Sequence, residues 1–118
     1  MSARSALRTV PLAMSAALLL VHCGGEQADR SGPTAHVIEI GEMGFHPAEL
    51  DVHVGDTIVW INRDVLPHTA TDAASGWSSP AVEMGGRWQL VVPDADTVRY
   101  TCAFHPVMEG RLVVTKAP

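Results

Sequence analysis

Lysine is almost missing from this chain: Lys116 is the only one in 118 residues. Eight basic residues stand against thirteen acidic ones. Two of the eight, Arg4 and Arg8, fall in a segment that reads as a removable export signal, which leaves six against thirteen and a net charge near −7. So few cations cannot grip a phosphate backbone, so nucleic acid is excluded as a partner. An acidic surface does permit a basic protein partner. Long apolar runs are scarce too. The one run, 10–21, is too short to span a bilayer as a permanent helix. No Ser-His-Asp arrangement, phosphate-cradling glycine loop or acid/base carboxylate pair is recognisable, so hydrolysis and phosphoryl transfer have no candidate residues.

Cysteine is limited to Cys23 and Cys102. In an exported chain two cysteines ordinarily suggest a disulfide. Here each has a separate explanation. Arg4 and Arg8 followed by the apolar run make 1–23 a signal peptide. Cys23 ends that run in Leu20-Val21-His22-Cys23-Gly24, which resembles the lipobox of bacterial lipoproteins, where the cysteine is acylated. His22 departs from that pattern, which has a small residue before the cysteine. The rival is ordinary cleavage after Gly25, which discards Cys23. Both routes leave Cys102 without a disulfide partner. The first implies a periplasm-facing protein anchored to a membrane through lipid.

Residues 24–34 are polar and glycine-rich without apolar periodicity, so they read as a flexible tether. The folded body is then 35–118, enough for one modest core. Its candidate strands are 35–40, 49–54, 56–62, 68–72, 87–92, 97–103 and 110–115. Several alternate with a period of two. Leu50, Val52 and Val54 share a face, as do Trp88, Leu90 and Val92, and Val98, Tyr100 and Cys102. Val54-Gly55-Asp56 reads as a tight turn. No segment keeps a helical period, although 73–85 is long and irregular. The expected fold is all-β, an antiparallel sandwich.

The chemistry concentrates in Cys102-Ala103-Phe104-His105-Pro106-Val107-Met108. A thiolate, an imidazole and a thioether follow one another from a strand end into a loop that can curl around an ion. Upstream, Pro67-His68-Thr69 offers a second imidazole. Two His and one Cys in a trigonal plane with a distant axial Met is an electron-transfer copper arrangement. Thiolate and thioether favour Cu(I), and imidazole also serves Cu(II), so one site tolerates both states. Structural zinc sites take four Cys or His ligands, and a catalytic zinc needs an open position that Met108 would obstruct. The bland alternative is a buried core cysteine with coincidental neighbours.

From Val37 to Thr115 the chain resembles the cupredoxins, and the amicyanin group most closely among them. The likeness rests on Glu49 to Arg63, similar to the strand pair before the first copper histidine, and on Tyr100 to Gly110, similar to the copper loop. The short step from His105 to Met108 is of the amicyanin type. The resemblance implies a Greek-key sandwich holding one type 1 copper on His68, Cys102, His105 and Met108. It implies that His68 is the more buried imidazole and that His105 is the electron port. Phe104, Pro106 and Val107 would supply apolar surface for a redox partner, such as a cytochrome c or a dehydrogenase. Asn62 would tie the two ligand loops together, and the Thr69 N–H would donate to the thiolate. Phe104 stands where such loops often have proline, and Thr69 replaces a common asparagine.

Other residues carry less. His53 reads as a surface histidine, while His36 and His46 are unassigned. Trp60 and Trp88 read as core, and Trp77 as core or loop. Met43 and Met84 are isolated, which weakens the second reading, a copper chaperone or storage module. A copper enzyme would need further metal sites or a second domain. The expectation is a monomeric electron carrier and not an enzyme.

Overall fold

The structure, a computed structural model, describes residues 9–11, 32–94 and 96–116. Cys23, nearly all of the expected export signal and most of the expected tether lie outside the described residues. Among the described residues every regular element is a strand.

Two sheets form a sandwich. The first contains β1 (Ala35–Gly41), β2 (Gly44–His46), β4 (Thr57–Asn62) and β7 (Arg87–Val91), in the order β2-β1-β4-β7. The second contains β3 (Glu49–His53), β5 (Thr71–Asp72), β6 (Trp77–Ser78), β8 (Val98–Thr101) and β9 (Glu109–Thr115), in the order β3-β9-β8-β5-β6. The two-residue period places the core. Ile58, Trp60 and Asn62 on β4 and Val98 and Tyr100 on β8 are buried, and the residues between them are not. Ile38, Ile40, Phe45, Val52 and Leu112 complete the inner layer.

The sandwich is the expected one and mostly antiparallel, with two parallel pairings that the sequence did not predict. β1 runs parallel to β4, and β3 parallel to β9. The other five pairings are antiparallel. The chain reverses between β1 and β2, crosses to the other sheet after His46, and reverses again at Val54-Gly55-Asp56. Two reversals bring β4 back beside β1 in the same direction. Gly55 makes the second reversal at φ 91°, a conformation that costs glycine little. That turn joins opposite sheets, so β3 and β4 are consecutive but unpaired.

Two short strands were not visible in the sequence. β2 has three residues, and β6 lies in the irregular 73–85 stretch. β6 and β7 are edge strands of opposite sheets, and Trp77 and Trp88 stack between them with ring centroids 5.9 Å apart. Trp77 therefore belongs to the core side of its strand. The expected strand over 68–72 shrinks to Thr71–Asp72, with His68 in an isolated bridge to Val82.

Candidate metal centre

Alternation along β8 turns Cys102 inward, and it is fully buried just beyond the strand end. The chain then closes into a tight loop. Cys102 N–H donates to Met108 O at 3.2 Å, His105 N–H to Cys102 O at 3.2 Å, and Met108 N–H to His105 O at 2.9 Å. β9 begins at the next residue. This loop returns Met108 to the cluster that holds Cys102, where both are buried.

His68 reaches the same place from the other side. Its ring is fully buried, with Nδ1 3.6 Å from Cys102 Sγ. His105 Nδ1 lies 3.7 Å from the same sulfur, and the two ring centroids are 5.1 Å apart. The ligand atoms of His68, Cys102 and His105 all lie within 4.8 Å of one another. No other such group of His, Cys, Asp or Glu donors occurs among the described residues. Sequence segments 34 residues apart thus converge on one preformed donor set. Cys102 has no disulfide partner. Thiolate, two imidazoles and a buried thioether fit copper, as the residue types predict.

The surrounding bonds differ in part from expectation. Thr69 N–H points at Cys102 Sγ from 3.4 Å. That N–H serves the sulfur rather than a sheet ladder, which is one reason β5 starts only at Thr71. The Thr69 hydroxyl also accepts from Ala103 N–H at 2.8 Å. Thr69 is therefore the tie between the two ligand loops. Asn62, expected in that role, instead ties its own loop to the 82–86 turn. Its Nδ2 donates to Leu66 O and Val82 O at 2.7 and 2.8 Å, and its Oδ1 accepts from Asp64 N–H at 2.8 Å. The reason is placement: Asn62 is the inward-facing last residue of β4 and meets the 82–86 turn, whose Gly86 O accepts its own N–H.

Sequence reasoning missed Asp64. Its Oδ2 lies 3.1 Å from His68 Nε2, on the far side of the ring from the thiol. That hydrogen bond, with help from Val65 N–H, holds the Asp64 carboxyl below the usual carboxylate range. A carboxylate four residues before a ligand histidine was the available signal. Of the other histidines, His36 bonds Asp56 at 2.9 Å and His46 bonds Gly41 O. His53 is exposed. None of the three joins the donor set.

Above the half-buried His105, Phe104, Pro106 and Val107 are exposed, Val107 to 85%. Val65 and Leu66, exposed on the loop that carries Asp64 and His68, add apolar surface that the sequence did not advertise.

Residues 34–115 match the family of copper binding proteins described as the plastocyanin/azurin family. The chain is 35% identical over 85 residues to amicyanin of Paracoccus denitrificans, covering 68% of this chain and 65% of that protein. It is 26% identical over 88 residues to amicyanin of Paracoccus versutus, covering 68% of this chain and 64% of that protein. The match thus spans slightly less than two thirds of these two relatives. Among solved structures, a Cu(I) amicyanin variant superposes with a TM-score of 0.64 at 34% identity, over 69% of this chain and 82% of the other. An oxidised amicyanin variant gives 0.65 at 32% identity, over 77% and 88%. The buried thiolate, imidazole and thioether set and these likenesses agree: the chain belongs to the plastocyanin/azurin family of copper-binding proteins, as an amicyanin-like cupredoxin with one type 1 copper site.

Proposed function

We propose that this protein shuttles single electrons between partner proteins at the exported face of a bacterial membrane. The observation that carries this is the donor set itself: it stands assembled with His68 and Cys102 fully buried and His105 half-buried beneath an apolar surface. Bound copper supplies the one-electron couple. The protein's part is to hold the ligands where neither oxidation state demands movement. Two imidazoles, the thiolate and the Met108 thioether suit both states, and a buried site excludes water. Four protein donors of these types would hold a bound copper in the manner of an electron carrier, which is the role we assign to the protein. Phe104, Pro106 and Val107 offer a small exposed surface beside His105 for a short-lived interface, and Val65 and Leu66 expose further apolar surface on the loop that carries His68. The acidic balance, −5 for the full chain and near −7 without the expected signal, favours a basic partner, such as a cytochrome c. The chain works as a monomer, tethered by acylated Cys23.

The test is the visible spectrum after one equivalent of Cu(II). An intense blue band that ascorbate bleaches reversibly, and that Cys102→Ser lacks, is the expected result. Bound copper without the band would end the electron-transfer reading and favour metal storage or delivery. Anchoring is checked separately: Cys23→Ser should move the protein from membrane to soluble fractions. A wild-type protein already soluble and lacking Cys23 by mass would refute the anchor.

A further inference from the structure

We propose that Asp64 is the positioning residue for His68: its carboxylate holds the ring's Nε2–H, keeps Nδ1 turned to Cys102, and lowers the reduction potential of copper bound there. The orientation belongs to the metal-free chain; only the effect on potential rests on the electron-transfer reading above.

The geometry is a relay through one ring. Asp64 Oδ2 lies 3.1 Å from His68 Nε2, while Nδ1 of the same ring lies 3.6 Å from Cys102 Sγ. A neutral imidazole carries one N–H. A carboxylate at Nε2 accepts that hydrogen and leaves the Nδ1 lone pair for the metal. His68 is fully buried, and Asp64 Oδ2 is the acceptor that its Nε2 meets.

The carboxylate is itself held in place. Asp64 Oδ1 accepts from Val65 N–H at 2.8 Å, and Asp64 N–H donates to Asn62 Oδ1 at 2.8 Å. Asn62, fully buried, fastens Leu66 O and Val82 O, and Val82 exchanges two backbone hydrogen bonds with His68. Asn62 and Val82 therefore fix the backbone that carries Asp64 and His68, and Asp64 alone meets the imidazole. His105 has no comparable partner: among the described residues its side chain is bonded to nothing but the Cys102 sulfur. One imidazole is fixed through a charge and the other is not.

The electrostatic consequence has a definite sign. A negative charge behind a ligand makes that ligand more basic and stabilises the more positive ion, Cu(II). Removing the charge must therefore raise the potential.

Three variants test this. Asp64→Asn removes the charge, and its amide cannot offer oxygens to both Val65 N–H and His68 Nε2–H. It should weaken Cu(II) relative to Cu(I) by roughly tenfold, a rise of about 59 mV for a one-electron couple. Asp64→Glu keeps the charge and should recover most of that shift. In metal-free protein, long-range 1H–15N spectra should show His68 as a single Nε2–H tautomer, replaced by a mixture in Asp64→Ala. If the alanine variant does not fold, the asparagine variant supplies the tautomer readout. An unchanged tautomer overturns the positioning role whatever the potential does. An unmoved potential in Asp64→Asn overturns the charge effect. A wild-type protein that never turns blue would sink the electron-transfer reading, yet the metal-free spectra would still decide whether Asp64 orients His68.

Discussion

Gly110 has no room for a side chain. A Cβ built there would overlap Cζ and Oη of Tyr100, its cross-strand partner on β8. The Tyr100 ring lies over Gly110 and meets Phe45 edge-on at 4.7 Å and Trp60 at 5.4 Å. It cannot retreat, because it is almost fully buried, and burial pushes its phenol up to about 12. Gly110→Ala is therefore expected to destabilise the protein by about 3 kcal/mol, as overpacking does at the upper end of its range. Chemical denaturation of the metal-free protein measures it, and a change below about 0.5 kcal/mol would show that the ring moves freely. Gly110 follows Met108 by two residues, so the same close approach also sets where the copper loop ends.

The 102–108 loop and the 67–69 segment work as a pair, and Thr69 couples them. Its hydroxyl accepts from Ala103 N–H and bonds the Thr71 hydroxyl at 2.8 Å, while its N–H faces the sulfur. Thr69→Val keeps the shape and leaves Ala103 N–H without its acceptor. The expected cost is about 1–3 kcal/mol. Stability alone would not distinguish this from any buried polar loss. Copper should also leave faster, because the loop that supplies three ligands loses its side-chain tie to the segment that supplies the fourth and keeps only the Thr69 N–H on the sulfur. Stopped-flow transfer of copper to a chelator reads that rate. Equal rates for variant and wild type would remove Thr69 from the coupling.

The sandwich is clamped at one turn by Asp56. Its carboxylate accepts from Thr34 N–H, His53 N–H and His36 Nε2, each at 2.9 Å. These bonds join the start of β1 to the β3–β4 turn. Burial raises the Asp56 pKa, but the donors from Thr34, His53 and His36 outweigh it and hold the value at about 2 against an ordinary 3.8. A depressed carboxyl stabilises the fold above its unfolded pKa and loses that contribution as pH falls through the folded one. Stability should therefore be level above about pH 4 and fall by about 1–2 kcal/mol toward pH 2. Asp56→Asn should flatten that part of the profile in melting curves taken across the range. A profile of equal slope in the variant would assign acid sensitivity elsewhere. Charge acts at longer range too. With thirteen acidic residues against eight basic ones, a formal net charge of −5, electron exchange with the basic partner proposed above should slow as salt rises. The Debye length falls from roughly 30 Å at 0.01 M to about 8 Å at 0.15 M, so a salt-independent rate would exclude electrostatic steering.

The residue types and their spacing were enough to determine the donor set, the metal they suit and the two-faced strands that bury them. Ligand chemistry is carried by side-chain identity, and a two-residue period survives in linear order. Cys102, His105 and Met108 lie on one loop, and alternation along β8 already turned Cys102 inward. The parallel pairings of β1 with β4 and β3 with β9 were decided in three dimensions, because direction depends on which sheet each reversal serves. So were the edge strands β2 and β6, whose two or three residues carry no readable period. Tertiary structure also moved the tie between ligand loops from Asn62 to Thr69 and placed Asp64 behind His68. Hydrogen bonds of about 3 Å depend on where a backbone turns, and the order of residues alone does not contain that distance.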